Sequence, residues 1–196
     1  ACSPYSGPSG ISGKFTYNGA TGDLTVSGGK TATLADGTYC FRNVTLSGGS
    51  TLAVTGPVAI VVNGVLNASG GSLVNATRIP AKLQLSSSYS GANGVALSGG
   101  TASYLTVYAP TTNVTVSGTS PLYGAVLGKT LAASGGTAIH YDTRLGEVWA
   151  GYPYLRSEQA SVPAVADGLY LASYAVVPAA VLVGFGGAGR RRRARS

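Results

Sequence analysis

"VTLSGGSTLAVTGPVAIVVNGVLNASGG", Val44–Gly71, opens on an apolar-x-apolar-Ser-Gly-Gly unit and closes on another, with no charged residue between them. The unit recurs as LTVSGG at Leu24–Gly29, VALSGG at Val95–Gly100, VTVSGT at Val114–Thr119 and LAASGG at Leu131–Gly136. Successive starts lie 20, 22, 29, 19 and 17 residues apart. One motif returning near every twenty residues is the signature of a solenoid. Each copy is a short alternating run that ends in the turn dipeptide Ser-Gly. A sandwich with Gly-rich turns gives a similar local signal. The return of the same motif, rather than merely of a strand, favours the solenoid.

The composition suits that architecture. Glycine supplies the φ > 0 conformations that coil corners need, and the chain has 30 glycines in 196 residues. The candidate corners are Gly28, Gly48, Gly70, Gly99, Gly118 and Gly135. Small β-branched residues fit a narrow interior in which coils stack at the strand spacing of ~4.8 Å. The run Val58–Val62 reads as a parallel strand buried on both faces. A disordered Gly/Ser linker is excluded by 44% hydrophobic residues in periodic placement. The expected fold is all-β: a single-domain parallel β-helix, or β-solenoid, over 19–146, preceded by an N-terminal extension, 1–18. A loop or cap, 147–168, and a β-rich C-terminal extension, 169–196, follow.

Charge narrows the function. Charged residues are only 10% of the chain, and the net charge is +7. Five of the 13 basic residues lie in the terminal RRRRARS; the rest of the chain has eight basic and six acidic residues. That near-balance leaves no broad basic face, so no nucleic-acid partner is expected. The chain holds no methionine and opens on ACSPYSG. We read this as a mature N-terminus left by signal cleavage, and so expect an extracellular, cell-surface protein. Its two cysteines, Cys2 and Cys40, are then read as one disulfide tying the N-terminal segment to the first coils. Two Cys and one His fall short of a four-ligand metal set; no metal and no cofactor are expected.

Six segments carry a family resemblance: GTYCF (Gly37–Phe41), TGPVAIVVNG (Thr55–Gly64), PAKLQL (Pro80–Leu85), VYAPTTNVTVSG (Val107–Gly118), LYGAVLGKTLAASGG (Leu122–Gly136) and AIHYDTRL (Ala138–Leu145). Over about 37–145 the chain resembles an uncharacterised bacterial surface domain family found in pilus-assembly-type proteins and related to choice-of-anchor A domains. The resemblance implies an extracellular, right-handed β-helix associated with cell-surface structures. It implies no catalytic residues. Beyond Leu145 it does not extend.

His140, the only histidine, and Asp142 are two apart, so in a strand both face the same way. Such a pair can serve acid–base chemistry. No nucleophile motif accompanies it, and the expected role is structural, closing the last coil by hydrogen bonds. The carboxylates Asp23, Asp36, Asp142, Glu147, Glu158 and Asp167 do not recur at the coil period. They are therefore not expected to form the paired set that glycan cleavage needs, and no catalytic site is assigned. Ice binding commonly uses stacked Thr-x-Thr ranks, but Thr31-Ala32-Thr33 is the single such triplet. The Asn-x-Ser/Thr sequons at Asn43, Asn67, Asn75 and Asn113 mostly overlap the repeat and are read as coincidence.

The tail LYLASYAVVPAAVLVGFGGAG, Leu169–Gly189, precedes four arginines, Arg190, Arg191, Arg192 and Arg193. It reads either as a membrane sorting signal, with transient membrane contact, or as strands broken at Pro178. In the second reading Leu169, Leu171, Val176, Val177, Val181, Leu182, Val183 and Phe185 supply an apolar assembly tail. No amphipathic capping helix is visible, so both solenoid ends are expected to be open. Open ends and a spare apolar segment suit head-to-tail growth. The leading expectation is a non-enzymatic structural subunit of a surface filament, sheath or appendage whose partners are copies of itself. The alternative is a monomeric surface adhesion domain that binds a glycan, a surface or ice.

Overall fold

The computed structural model describes residues 2–98, 101–119 and 121–145, all within one compact unit, Ala1–Ala150. Among them the chain winds through about six coils of parallel strands. The first coil is β3 (Asp23–Val26), β4 (Thr31–Leu34) and β5 (Gly37–Phe41). The second is β6 (Asn43–Leu46), β7 (Ser50–Val54) and β8 (Val58–Val62). The third is β9 (Leu66–Ala68), β10 (Gly71–Asn75) and β11 (Leu83–Ser87). Then come β12 (Val95–Ser98) and two long strands, β13 (Ser103–Ser117) and β14 (Leu122–Ala133), before β15 (Ile139–Tyr141). β13 and β14 each serve two faces, and their mutual register breaks between Ala109 and Asn113, where the chain turns a corner.

The repeat unit builds the first face. Its leading apolar residues stand in one column, Leu24, Val44, Leu66, Val95, Val114 and Leu131. The second apolar residue of each unit follows the same order; Leu97, Val116 and Ala133 are paired in turn. Both columns point inward, and most of their members are fully buried. Each buried Leu or Val contributes roughly 1.5–3 kcal/mol, so the motif repeats because every coil must place the same side chains into the same narrow interior.

The second face, β4–β7–β10, stops after three coils. Leu34 and Val54 are aligned there, and the next position is Asn75, which is 2% exposed. Its Nδ2 donates to the carbonyls of Ile79 (2.9 Å) and Tyr104 (3.0 Å), and its Oδ1 accepts from the Thr77 amide and hydroxyl. These bonds hold a loop, 76–82, with a 3-10 turn at Pro80–Lys82. This loop and that of 88–94 account for the interval of 29 residues in the repeat. The third face is β5–β8–β11, continued by the first half of β13, by β14 and by β15. Val58–Val62 lies on this face but is not buried on both sides: Ala59 and Val61 are only half-buried. The outer side of the solenoid is a surface, so a parallel strand here buries alternate residues rather than all.

The N-terminal end departs from expectation. It is closed by the chain's own first residues. β1 (Ile11–Gly13) pairs antiparallel with β4, and β2 (Thr16–Asn18) pairs antiparallel with β3. β5 is covered by the segment before them: the Ser6 amide donates to the Cys40 carbonyl (2.7 Å), and the Cys40 amide donates to Ser6 Oγ (2.8 Å). Cys2 and Cys40 are disulfide-bonded, with Cα atoms 5.8 Å apart. The Cys2 amide donates to Asn63 Oδ1, and Asn63 Nδ2 donates back to the Cys2 carbonyl. A Gly/Ser/Pro segment without a helix thus satisfies the exposed edge by laying down a reversed layer of strand.

Candidate functional site

The outer side of the third face carries the most distinctive cluster of side chains. Tyr104, Tyr123 and His140 occupy one register column on β13, β14 and β15. Their rings stack along the solenoid axis, Tyr104 on Tyr123 at 4.9 Å between centroids and Tyr123 on His140 at 4.8 Å, within 15° of parallel. The distances match the strand spacing, since equivalent positions on adjacent parallel strands place rings in offset stacks.

A shallow open pocket lies beside these rings. The 76–82 loop contributes Arg78 and Pro80 to one wall, and the end of the last coil contributes Tyr141, Asp142 and Arg144. Arg78 adopts a left-handed backbone conformation, φ 54°. Gly124 makes the close approach possible: its φ is 141°, and a Cβ there would run into the Leu105 carbonyl and crowd Pro80. Asp142 accepts from Arg144 Nε (2.9 Å), Nη2 (2.8 Å) and the Arg144 amide (3.1 Å). Those hydrogen bonds hold its carboxyl below the usual carboxylate range, against the opposing effect of partial burial.

His140 lies in β15 and Asp142 just beyond its end, and both line this pocket. Asp142 helps to close the last coil, its amide donating to the Gly124 carbonyl at 3.1 Å. His140 closes it by stacking on Tyr123. The remaining described carboxylates lie apart from this pair. Asp23 is engaged by Arg42, Thr21 and Asn43 on the first coils, and Asp36 sits at an exposed turn between β4 and β5. Among the described residues no three His, Cys, Asp or Glu side chains gather into a metal-holding group.

Three pairs of the candidate corner glycines lie against one another in neighbouring coils. A Cβ on Gly48 would meet the Gly28 amide nitrogen at 3.1 Å, one on Gly70 the Gly48 nitrogen at 3.2 Å, and one on Gly135 the Gly118 nitrogen at 3.0 Å. Gly99 lies outside the described residues. So do the loop 147–168 with Glu147, Glu158 and Asp167, the tail residues Leu169, Leu171, Val176, Val177, Val181, Leu182, Val183 and Phe185, and Arg190, Arg191, Arg192 and Arg193. On the first face the outward rank runs Thr16, Thr25, Thr45, Asn67, Ala96, Thr115 and Ala132. Asn67 and the alanines interrupt the regular threonine array that ice binding uses. Of the sequons, Asn75 is buried and doubly bonded, which rules it out as a glycan acceptor in the folded chain.

The tyrosines of the stack were not singled out from the sequence, yet a signal for them exists. Tyr104, Tyr123 and His140 are spaced 19 and 17 residues apart, the same intervals as the starts of the last three repeat units. Any residue that shares the coil interval shares the coil position. A search of curated proteins finds no match to this chain, and a search of solved structures finds none. Residues 20–148 match a family model, DUF7305, described as a domain of unknown function. That description mentions neither pilus assembly nor anchoring. The matched stretch begins just before the first repeat unit and extends past β15, and the chain belongs to this DUF7305 family.

Proposed function

We propose that the chain is a non-enzymatic extracellular structural module that joins copies of itself in a surface assembly through its C-terminal end. The observation that carries this is the asymmetry of the solenoid's ends. The N-terminal end is closed by β1, β2 and the disulfide-tied segment. At the other end β15 pairs only Leu122–Gly124 of β14, so Thr130–Ala133 has no strand on its outer side among the described residues. A free strand edge recruits a strand, and the sequence of the tail, which lies outside the described residues, has the alternating apolar pattern of one. Two further points support the reading. A disulfide that secures the fold belongs to an oxidising compartment. Asp23 is committed to Arg42 of the next coil and Asp142 to Arg144 two residues on, which suits a structural role for both.

This reading replaces head-to-tail growth through both ends with association through one, because the reversed strand layer leaves no parallel edge at the N-terminus. Removing everything after Gly168 tests it. The truncated chain is expected to stay folded by circular dichroism and to elute as a monomer in size-exclusion chromatography, while the full chain elutes as a larger species. Identical elution of both forms across a hundredfold dilution would overturn the proposal.

A further inference from the structure

We propose that Asn18 is a modification site, at which the folded chain converts its own asparagine through a succinimide into isoaspartate and aspartate and so loosens its N-terminal strand layer. Water is the reactant. The step needs no partner and does not depend on how the chain assembles.

The sequence has three Asn-Gly pairs, Asn18-Gly19, Asn63-Gly64 and Asn93-Gly94. In such a pair the glycine nitrogen attacks the asparagine Cγ, because no Cβ hinders the approach and glycine takes the conformations it needs. The N–Cγ bond forms, the Cγ–Nδ2 bond breaks, and the proton of the attacking amide leaves with the departing ammonia. Water then opens the imide ring. Attack at Cγ gives aspartate; attack at the α-carbonyl gives isoaspartate, whose main chain runs through Cγ.

The fold locks two of the three pairs. The Gly64 amide donates to the Arg42 carbonyl one coil earlier, at 2.7 Å. The Cys2 amide and the Ser88 hydroxyl donate to Asn63 Oδ1, and Asn63 Nδ2 donates to the Cys2 carbonyl. The Gly94 amide donates to Thr112 Oγ1 at 2.8 Å. Packing requires both glycines, since a Cβ on Gly64 would run into Asn43 and the Arg42 carbonyl, and one on Gly94 into Thr112. Attack at either site needs a contact between coils to open first.

Asn18-Gly19 is built the other way. Asn18, Gly19 and Ala20 are exposed where β2 ends. Asn18 Oδ1 accepts from the Ala20 amide at 3.1 Å, an Asx turn. The ring closed by that bond contains both reacting atoms, Asn18 Cγ and the Gly19 nitrogen. The Asn18 carbonyl accepts from the Thr21 and Gly22 amides at 3.3 and 2.8 Å, so these turn bonds are donated by residues after Gly19. Packing does not require Gly19: its φ is not positive, and a Cβ there would make only an ordinary contact with the Tyr17 ring at 3.8 Å.

Conversion at this position bears on the N-terminal layer. In isoaspartate the carbonyl that holds the Thr21 and Gly22 amides leaves the main chain and becomes a free carboxylate, and the link from β2 to β3 gains a carbon. The register sets residue 18 directly opposite Asp23, and like charges opposite one another weaken a strand pair.

The test ages the full chain at mildly alkaline pH, in native buffer and in concentrated urea, and follows each site by mass spectrometry of tryptic peptides. Peptide 15–30 holds Asn18 as its only asparagine, and electron-transfer fragmentation separates isoaspartate from aspartate. In native buffer Asn18 is expected to convert about tenfold faster or more than Asn63 and Asn93, and in urea the three rates should converge. Gly19→Ala should slow conversion at residue 18 by about tenfold or more and leave the thermal midpoint unchanged. Hydrogen exchange of the aged protein should quicken at Thr16–Asn18 and at the Gly22 amide, and by less in Asn18→Asp, which adds the charge without the extra main-chain carbon. Equal rates at the three sites in native buffer would overturn the proposal. So would a Gly19→Ala chain that converts as fast as the unsubstituted one, or an aged protein whose β2 exchanges no faster than that of the fresh one.

Discussion

Gly28 and Gly48 sit at equivalent corners one coil apart, with φ of 66° and 60°. Their surroundings differ. A Cβ on Gly28 meets open space, while one on Gly48 presses on the backbone of Gly28. Gly28→Ala is therefore expected to cost about 1 kcal/mol, the left-handed backbone penalty alone. Gly48→Ala should cost about 2–3 kcal/mol, since the backbone of the neighbouring coil must shift as well; urea midpoints of the two variants measure the difference. Asp23 makes a second residue-level case. Hydrogen bonds from Arg42 first, then Thr21 and Asn43, hold its carboxyl far below the usual carboxylate range, although burial pushes the other way. A depressed folded pKa means stability that is present above the unfolded pKa and lost as pH falls through the folded one. Asp23→Asn should accordingly lower the thermal midpoint at pH 7, and the gap from the unsubstituted protein should shrink as pH drops below about 4. A gap that stays constant down to pH 2 would mean the carboxylate's charge is not what stabilises the coil.

At the scale of elements, the Ser-Gly-Gly unit does not have a single geometry. In the first, second and sixth coils both glycines take positive φ. In the third, the chain enters β10 directly at Gly71, which is not among the positive-φ glycines. There the missing side chain makes room for Leu46 and Ser50 of the coil before. The same two letters thus serve turning in one coil and close packing in another. The N-terminal layer is the other element with a measurable role. Its staple closes a sequence separation of 38 residues, worth roughly 3–4 kcal/mol in the chain-entropy picture. Cys40→Ser should lower stability by about that much. Hydrogen exchange should quicken in Ile11–Gly13, Thr16–Asn18 and Gly37–Phe41, while Leu83–Ser87 and Val95–Ser98 keep their protection. Uniform quickening along all the coils would show that the staple stabilises the solenoid as a whole rather than its first layer.

For the whole molecule, the consequence of stacking is that each coil touches only its neighbours, so what happens at an end matters more than in a globule. The reversed strands β1 and β2 convert a parallel edge into one that offers no continuation. Deleting residues 1–18 uncovers the edges of β3 and β4 and frees Cys40. With Cys40 also changed to Ser, this truncated chain is expected to associate in a concentration-dependent way, seen by analytical ultracentrifugation, whereas the full N-terminus prevents association at that end. If the shortened chain remains no more associated than the intact one, the N-terminal layer is a stabiliser and not a guard against edge pairing.

The architecture was legible because a solenoid writes its packing into one dimension. Leu24, Val44, Leu66, Val95, Val114 and Leu131 must each fill the same slot, so the motif returns at each coil whatever else varies. The disulfide was legible too, since two cysteines allow one pairing. Three things were decided only in three dimensions. The antiparallel cap was hidden because strands of three residues, Ile11–Gly13 and Thr16–Asn18, are too short to show a period, and the first pairs past two intervening strands with β4. The end of the second face was hidden because Asn75 reads as one more polar residue until its bonds to Ile79 and Tyr104 are seen. The ring stack was half-written. The intervals between Tyr104, Tyr123 and His140 equal the coil intervals, but that those side chains face outward follows only from the strand register, in which a shift of one residue exchanges inside for outside.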